Sequence, residues 1–360
     1  MERPALDISS KTIILALILL GAAIILYVIW LRFRPLPPKE SENVVSLPGL
    51  ESIPRETVIS LLQDNKIVGI YFLHGTFAGV DPLGVGEVPL LKHVSGHLAR
   101  AIKWQIRGKG YVEKNVVTDL NTSIPTQMID WSGENHHLGR LKGAYKLLLA
   151  LTPSKNGTLL IMGHSHGAQL MAMAQHMRLQ TDTGLKLLSF AGRLEFDEKI
   201  LLAKAHSLKL QSFHWITLGS HLRLDFPLPK QDFLCHFLNI RSSTFGPDLR
   251  IPRGDLIQRI ATEGSDFLPS LPKNIDLNRQ LNQILDQGMS PGIWFKNVGG
   301  GVKIGDQGVS FLLDYGDSGI PILSSAKSIF GHGVYFSKKA IYFQIYQYLT
   351  YKNNHPSKYN

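Results

Sequence analysis

The chain has 360 residues, 44% hydrophobic and 18% charged, which is too apolar for a disordered segment and long enough for one large sheet-based domain. Its single cysteine, Cys235, excludes an intrachain disulfide, a cysteine-ligated zinc site and an iron–sulfur cluster. Lys and Arg number 38 against 28 Asp and Glu, a net charge of +10 that favours anionic surfaces such as lipid headgroups. These basic residues are scattered and no nucleic-acid-binding motif occurs, so no nucleic-acid partner is expected.

After a short tail (residues 1–11), the segment TIILALILLGAAIILYVIWL, Thr12 to Leu31, runs without a charge. At about 1.5 Å per residue it matches a hydrocarbon core of roughly 30 Å, so a transmembrane helix is expected over 12–31. Tyr27 and Trp30 lie at one end, where amphipathic rings favour the interface. Trp30, Leu31, Arg32 and Phe33 offer no small-residue cleavage site, so the helix reads as an uncleaved single-pass anchor. Arg3 and Lys11 precede the span while Arg32, Arg34 and Lys39 follow it, a bias that leans toward a cytoplasmic body. Residues 32–55 carry Pro35, Pro37, Pro38, Pro48 and Pro54 and read as a semi-rigid stalk.

The body, residues 56–352, alternates apolar runs with helical patterns and ends in a polar tail, 353–360. Strands are expected at IVGIYFLHG (67–75), PTQMIDWSG (125–133), GTLLIMGHSHG (157–167), SFHWITLGS (212–220), HFLNIR (236–241) and VSFLLDYG (309–316). HLGRLKGAYKLLLAL (137–151) reads as an amphipathic helix, AQLMAMAQHM (168–177) as a fully buried one, and KKAIYFQIYQYL as a terminal one. Between Val88 and Gly110, Lys92, Arg100, Lys103, Arg107 and Lys109 interleave with apolar residues near helical spacing, as in a helix resting on anionic lipid or covering a sheet. Strands separated by helices imply an α/β class with a mostly parallel sheet covered on both faces.

Gly163-His164-Ser165-His166-Gly167 fits G-x-S-x-G, and an apolar strand precedes it while a helix follows, the context of a nucleophile elbow. Gly163 and Gly167 remove side chains that would clash across so sharp a turn. Ser165 would then project from the end of the sheet, close to a helix N-terminus that favours developing negative charge. The loop His74-Gly75-Thr76-Phe77-Ala78-Gly79 follows a strand and can aim a backbone N–H at a substrate carbonyl oxygen. The donors would be the N–H of Thr76 or Phe77 together with that of His166.

YFLHGTFAG and LLIMGHSHGAQL together resemble the oxyanion strand-loop and the elbow of α/β-hydrolases of the bacterial lipase/esterase type, and WSGENHHLGRLKGA and ITLGSHLRLDFP are similar to lipase-type segments. The resemblance spans roughly Ile67 to Tyr348 and implies an α/β-hydrolase fold with a Ser, acid, His triad in that chain order. The base is then expected in a loop after the last strand, where His332 stands in FGHGVYF, and His332-x-x-Tyr335 also resembles lipase sequences. His166 and His176 lie in the elbow and its helix, and His214 and His236 read as structural. For the acid, Asp255 is favoured with Asp248 as the alternative, both after HFLNIR; Asp225, Asp314 and Asp317 are further carboxylates near later strands. Asp255 also reads as an N-cap of DLIQRIATE, and Asp248 as a turn residue.

The expected chemistry is ester hydrolysis through an acyl-enzyme, with no metal and no organic cofactor, on a small-molecule or lipid ester. Acyl transfer or thioester cleavage would use the same triad, and a non-catalytic membrane-tethered binding module would keep the scaffold without it. A lid, if one exists, is expected within the proline-rich and polar stretch from Pro227 to Pro291.

Overall fold

The computed structural model describes residues 43–75, 114–220, 224–245, 249–254, 272–286, 295–297, 303–305, 307–315 and 333–355. Thr12–Leu31 and Val88–Gly110 lie outside these residues. Among the described residues no helix is long and apolar enough to cross a membrane.

The strands are β1 (Val44–Leu47), β2 (Ile67–Leu73), β3 (Thr126–Ile129), β4 (Thr158–His164), β5 (Ser212–Leu218), β6 (Phe233–Phe245), β7 (Leu249–Gly254), β8 (Phe295–Asn297), β9 (Lys303–Gly305) and β10 (Val309–Leu313). The helices are α1 (Arg55–Asp64), α2 (Lys114–Asn121), α3 (His137–Ala150), α4 (Gly167–Leu179), α5 (Asp182–Leu188), α6 (Glu198–Leu208), α7 (Pro272–Asp286) and α8 (Lys338–Asn354). Seven strands form a parallel sheet in the order β1-β10-β6-β5-β4-β2-β3, while β7 lies antiparallel against the outer half of β6 and β8 pairs with β9 in a separate ribbon.

Central parallel strands must be apolar on both faces, and these are. Along β2 and β4, Ile70, Phe72, Leu160 and Met162 point into one core with α1, α2 and α8, whereas Tyr71, Leu73, Leu159 and Ile161 point into the other with α3 to α7. Helix α4 is buried from Gly167 through Arg178, its apolar residues facing all sides and its Gln169, Gln175, His176 and Arg178 buried among them. Its Leu170, Met171 and Met177 are fully buried, each contributing about 1.5–3 kcal/mol relative to exposure.

The connection after β2 leads through α2, on one face, to the edge strand β3. The connection after β4 leads through α4, on the opposite face, to β5. The chain therefore parts between the carboxyl ends of β2 and β4, and such a crevice is where open parallel sheets place their sites.

Three features differ from the sequence expectation. Val44–Leu47, within the segment read as a stalk, forms a strand paired with β10, so the folded body begins before residue 56. The strand expected at 236–241 runs from Phe233 to Phe245 and turns back as a hairpin, with Ile240 opposite Gly254 and Phe245 opposite Leu249. The stretch from Pro227 to Pro291 contains β6, β7 and α7, and α7 contributes Leu281 and Leu285 to the core.

Candidate active site

Ser165 follows β4 with φ 52°, in the left-handed region that side chains rarely adopt. Its N–H donates to the carbonyl of Leu218 at the end of β5 (3.0 Å). Its own carbonyl accepts from Ala168 N–H (3.0 Å) and from the Ser220 hydroxyl (2.6 Å). The elbow is thus sewn to the neighbouring strand on one side and to the first turn of α4 on the other. A Cβ on Gly167 would lie 2.9 Å from the carbonyl oxygens of Leu73 and His74, and one on Gly163 would lie 2.9 Å from the backbone of Gly167. A Cβ on Gly75 would come within 2.9 Å of the Ser165 Cβ, so the end of β2 is pressed directly against the serine. Both glycine-bearing loops expected from sequence therefore meet at the crevice.

His74 closes this junction from behind. Its ring is wholly buried and stacked on Trp131 with centroids 5.3 Å apart, and Trp131 Nε1–H donates to the His74 carbonyl (3.0 Å). His74 Nδ1 donates to the Gly75 carbonyl (2.8 Å), and Nε2 lies 3.4 Å from Trp131 N and 3.5 Å from the Asp130 carboxylate.

Beyond β3 the chain supplies a polar wall. Arg140 of α3 is buried and donates to Asn135 Oδ1 (2.7 Å); its Nη2 lies 3.4 Å from Nε2 of the half-buried His166. A guanidinium only donates, so His166 accepts at Nε2. His136 caps α3 by accepting from Gly139 N–H (3.0 Å) at Nδ1, leaving Nε2 to face Glu134 at 3.4 Å. Burial alone would raise the Glu134 pKa, but the His136 contact, the Ser132 hydroxyl and Lys142 outweigh it and hold the carboxyl below its usual range.

The residues just after His332 are fixed at the same end of the sheet. Tyr335 Oη accepts from Asn239 N–H at the end of the parallel part of β6 (2.9 Å), and the Tyr335 and Phe336 rings lie 5.6 and 5.1 Å from the ring of His164. Gln344 of α8 donates to Tyr315 Oη (2.8 Å) and to the Tyr335 carbonyl (3.2 Å).

Of the residues expected at the site, Ser165, His166, Gly75, Gly163 and Gly167 come together as described. Thr76, Phe77, His332, Asp255 and Asp248 lie outside the described residues. Asp225 is occupied elsewhere: His176 Nε2 donates to its carbonyl (2.9 Å) and carboxylate (3.1 Å), and this contact, stronger than the opposing burial, lowers its pKa. His214 and His236 are buried in the sheet, as read from sequence.

Ser220 is the residue that sequence reasoning passed over. The signal was present, because a hydroxyl just after β5, the strand beside β4, sits level with the turn at Ser165. Among the described residues no group of three or more His, Cys, Asp or Glu side chains is placed to hold a metal ion. Comparison of the chain with protein-family models, curated proteins and solved structures finds no match.

Proposed function

We propose that this protein is a membrane-anchored serine hydrolase of α/β-hydrolase type that cleaves a carboxylic ester through Ser165. The observation carrying the reading is the strained, doubly secured conformation of Ser165 at the strand-order switch, with Gly75 packed against it. A serine held in the left-handed region at a strand–helix junction presents its hydroxyl clear of the sheet, as nucleophilic attack on an acyl carbon requires.

In this mechanism His332 takes the Ser165 proton as Oγ bonds to the ester carbon. The N–H of His166, with that of Thr76 or Phe77, stabilises the resulting oxyanion. The alcohol leaves with the proton returned by His332, and water activated by the same imidazole hydrolyses the acyl-enzyme. The anchoring of Tyr335 supports His332 as the base, because three residues of backbone reach at most about 11 Å from it. The hairpin register supports Asp255 over Asp248. Asp255 directly follows Gly254 in the chain, and Gly254 pairs with Ile240 next to Asn239, whereas the described residues that flank Asp248 in sequence, Phe245 and Leu249, form the far end of that pairing.

The uncharged segment Thr12–Leu31 supplies the anchor and the charge of +10 favours an anionic surface, so the substrate is a small-molecule or lipid ester met near a bilayer. The test is labelling of the detergent-solubilised full chain with a fluorescent fluorophosphonate, beside Ser165→Ala. Labelling of the wild type that vanishes in the variant is expected. A folded wild type that does not label, with or without added lipid, would leave the hydrolase scaffold as a tethered binding module.

A further inference from the structure

The Ser220 hydroxyl lies 2.6 Å from the carbonyl oxygen of Ser165 and 3.0 Å from that of Leu218. Both neighbours are acceptors, so the hydroxyl donates, with the larger share going to the shorter contact. Ser220 is 6% exposed, and water competes little for that bond.

The oxygen it holds is not a bystander. The C=O of Ser165 and the N–H of His166 belong to one peptide unit, which is planar and trans, so the two bonds point in opposite directions. Fixing the oxygen fixes the direction of the N–H. Ala168 N–H also donates to this oxygen (3.0 Å), but a single hydrogen bond leaves the peptide plane free to tilt about it. A second donor, arriving from the end of β5 rather than from α4, removes that freedom. A hydrogen bond to the carbonyl also polarises the amide and strengthens its N–H as a donor.

We propose that Ser220 is a positioning residue that aims and strengthens the His166 N–H toward the oxyanion formed when Ser165 attacks; this rests on the hydrolase reading above. It does not touch substrate, and its action passes through one peptide plane.

The experiment compares wild type, Ser220→Ala and the equal-bulk pair Ser220→Thr and Ser220→Val as full chains in detergent. It measures kcat and KM on a short-chain p-nitrophenyl ester, inhibition by an alkyl boronic acid that mimics the tetrahedral intermediate, and thermal melting. Removing a direct oxyanion donor costs about 100- to 1000-fold, so loss of its aim is expected to lower kcat by roughly 10-fold. KM should stay within about twofold and boronic acid binding should weaken by the factor lost from kcat. Ser220→Thr should restore both and Ser220→Val should not, and Ser220→Ala and Ser220→Val should still melt cooperatively, only a few degrees below wild type for the one hydrogen bond lost. The Thr and Val pair carries the comparison even where the alanine variant unfolds. A kcat in Ser220→Ala or Ser220→Val equal to wild type, or a loss that the boronic acid does not share, would overturn the proposal. A wild type that neither hydrolyses ester nor labels with fluorophosphonate would overturn the hydrolase reading itself, a result visible before any Ser220 variant is made.

Discussion

A non-glycine residue in the left-handed region costs on the order of 1–3 kcal/mol and persists only where its surroundings over-determine it. Ser165 meets that condition through bonds from two separate elements. Single residues elsewhere show the same economy of satisfied polar groups. His236 donates from Nε2 to the Gln307 carbonyl (2.9 Å) and accepts at Nδ1 from the Thr217 hydroxyl (2.7 Å), an arrangement made for a neutral ring. Burial lowers its pKa to about 4, the Gln307 bond opposing only in part, and burial together with Lys352 lowers that of His214 to about 3. Both folded-state values lie below that of the unfolded chain, so the stability they contribute is complete above about pH 6.5 and is lost as pH falls toward 4. The expected slope is about 1.4 kcal/mol per pH unit for each histidine. Thermal melting between pH 7 and pH 4.5 should show this decline, and His236→Gln should flatten it by roughly half. A melting temperature independent of pH in that window would refute the neutral-histidine account.

At the scale of elements, α4 carries the elbow at one end and is clasped at the other. Arg178 of α4 pairs with Asp232 ahead of β6 and donates to the carbonyls of Leu208 (3.2 Å) and Gln211 (2.8 Å). Asp232 accepts from Phe213 N–H (3.0 Å) and from the Gln175 amide (2.8 Å). Burial lowers the Arg178 pKa to about 10 and raises that of Asp232, so each charge tolerates the interior only because the other is there. Asp232→Ala is therefore expected to destabilise the fold by about 3–5 kcal/mol, since it strands a buried guanidinium. Denaturant unfolding checks this; a change under 1 kcal/mol would show that water reaches the clasp. Strands β2, β4 and β5 were legible because central parallel strands are largely apolar on both faces, and α4 because its apolar residues fall on nearly every side. Val44-Val45-Ser46-Leu47 was hidden among prolines as a short edge strand, and the outer half of β6 was hidden by the polar run Arg241-Ser242-Ser243-Thr244. In both cases pairing with a partner strand, rather than hydrophobic period, makes the element.

For the whole molecule, the parallel sheet sets where the body begins. Val45, Leu47, Leu50 and Ile53 pack against the core beneath α8, and β1 covers the edge of β10. A chain starting at Asn43 is expected to melt at the temperature of the full chain. One starting at Glu56 should lose roughly 3 kcal/mol and expose an unpaired strand edge prone to association. Equal melting temperatures for the two truncations would mean that β1 adds nothing to the fold. The amino-acid order by itself determined the α/β class, the apolar segment Thr12–Leu31, the elbow at Ser165 and the glycine loop at Gly75, because each is a local pattern of hydrophobicity or turn chemistry. Only the tertiary structure decided which loops meet. It placed Gly75 against Ser165, set Ser220 on the peptide after Ser165, and paired Asp225 with His176, because strand order brings distant segments together and no local period encodes that order.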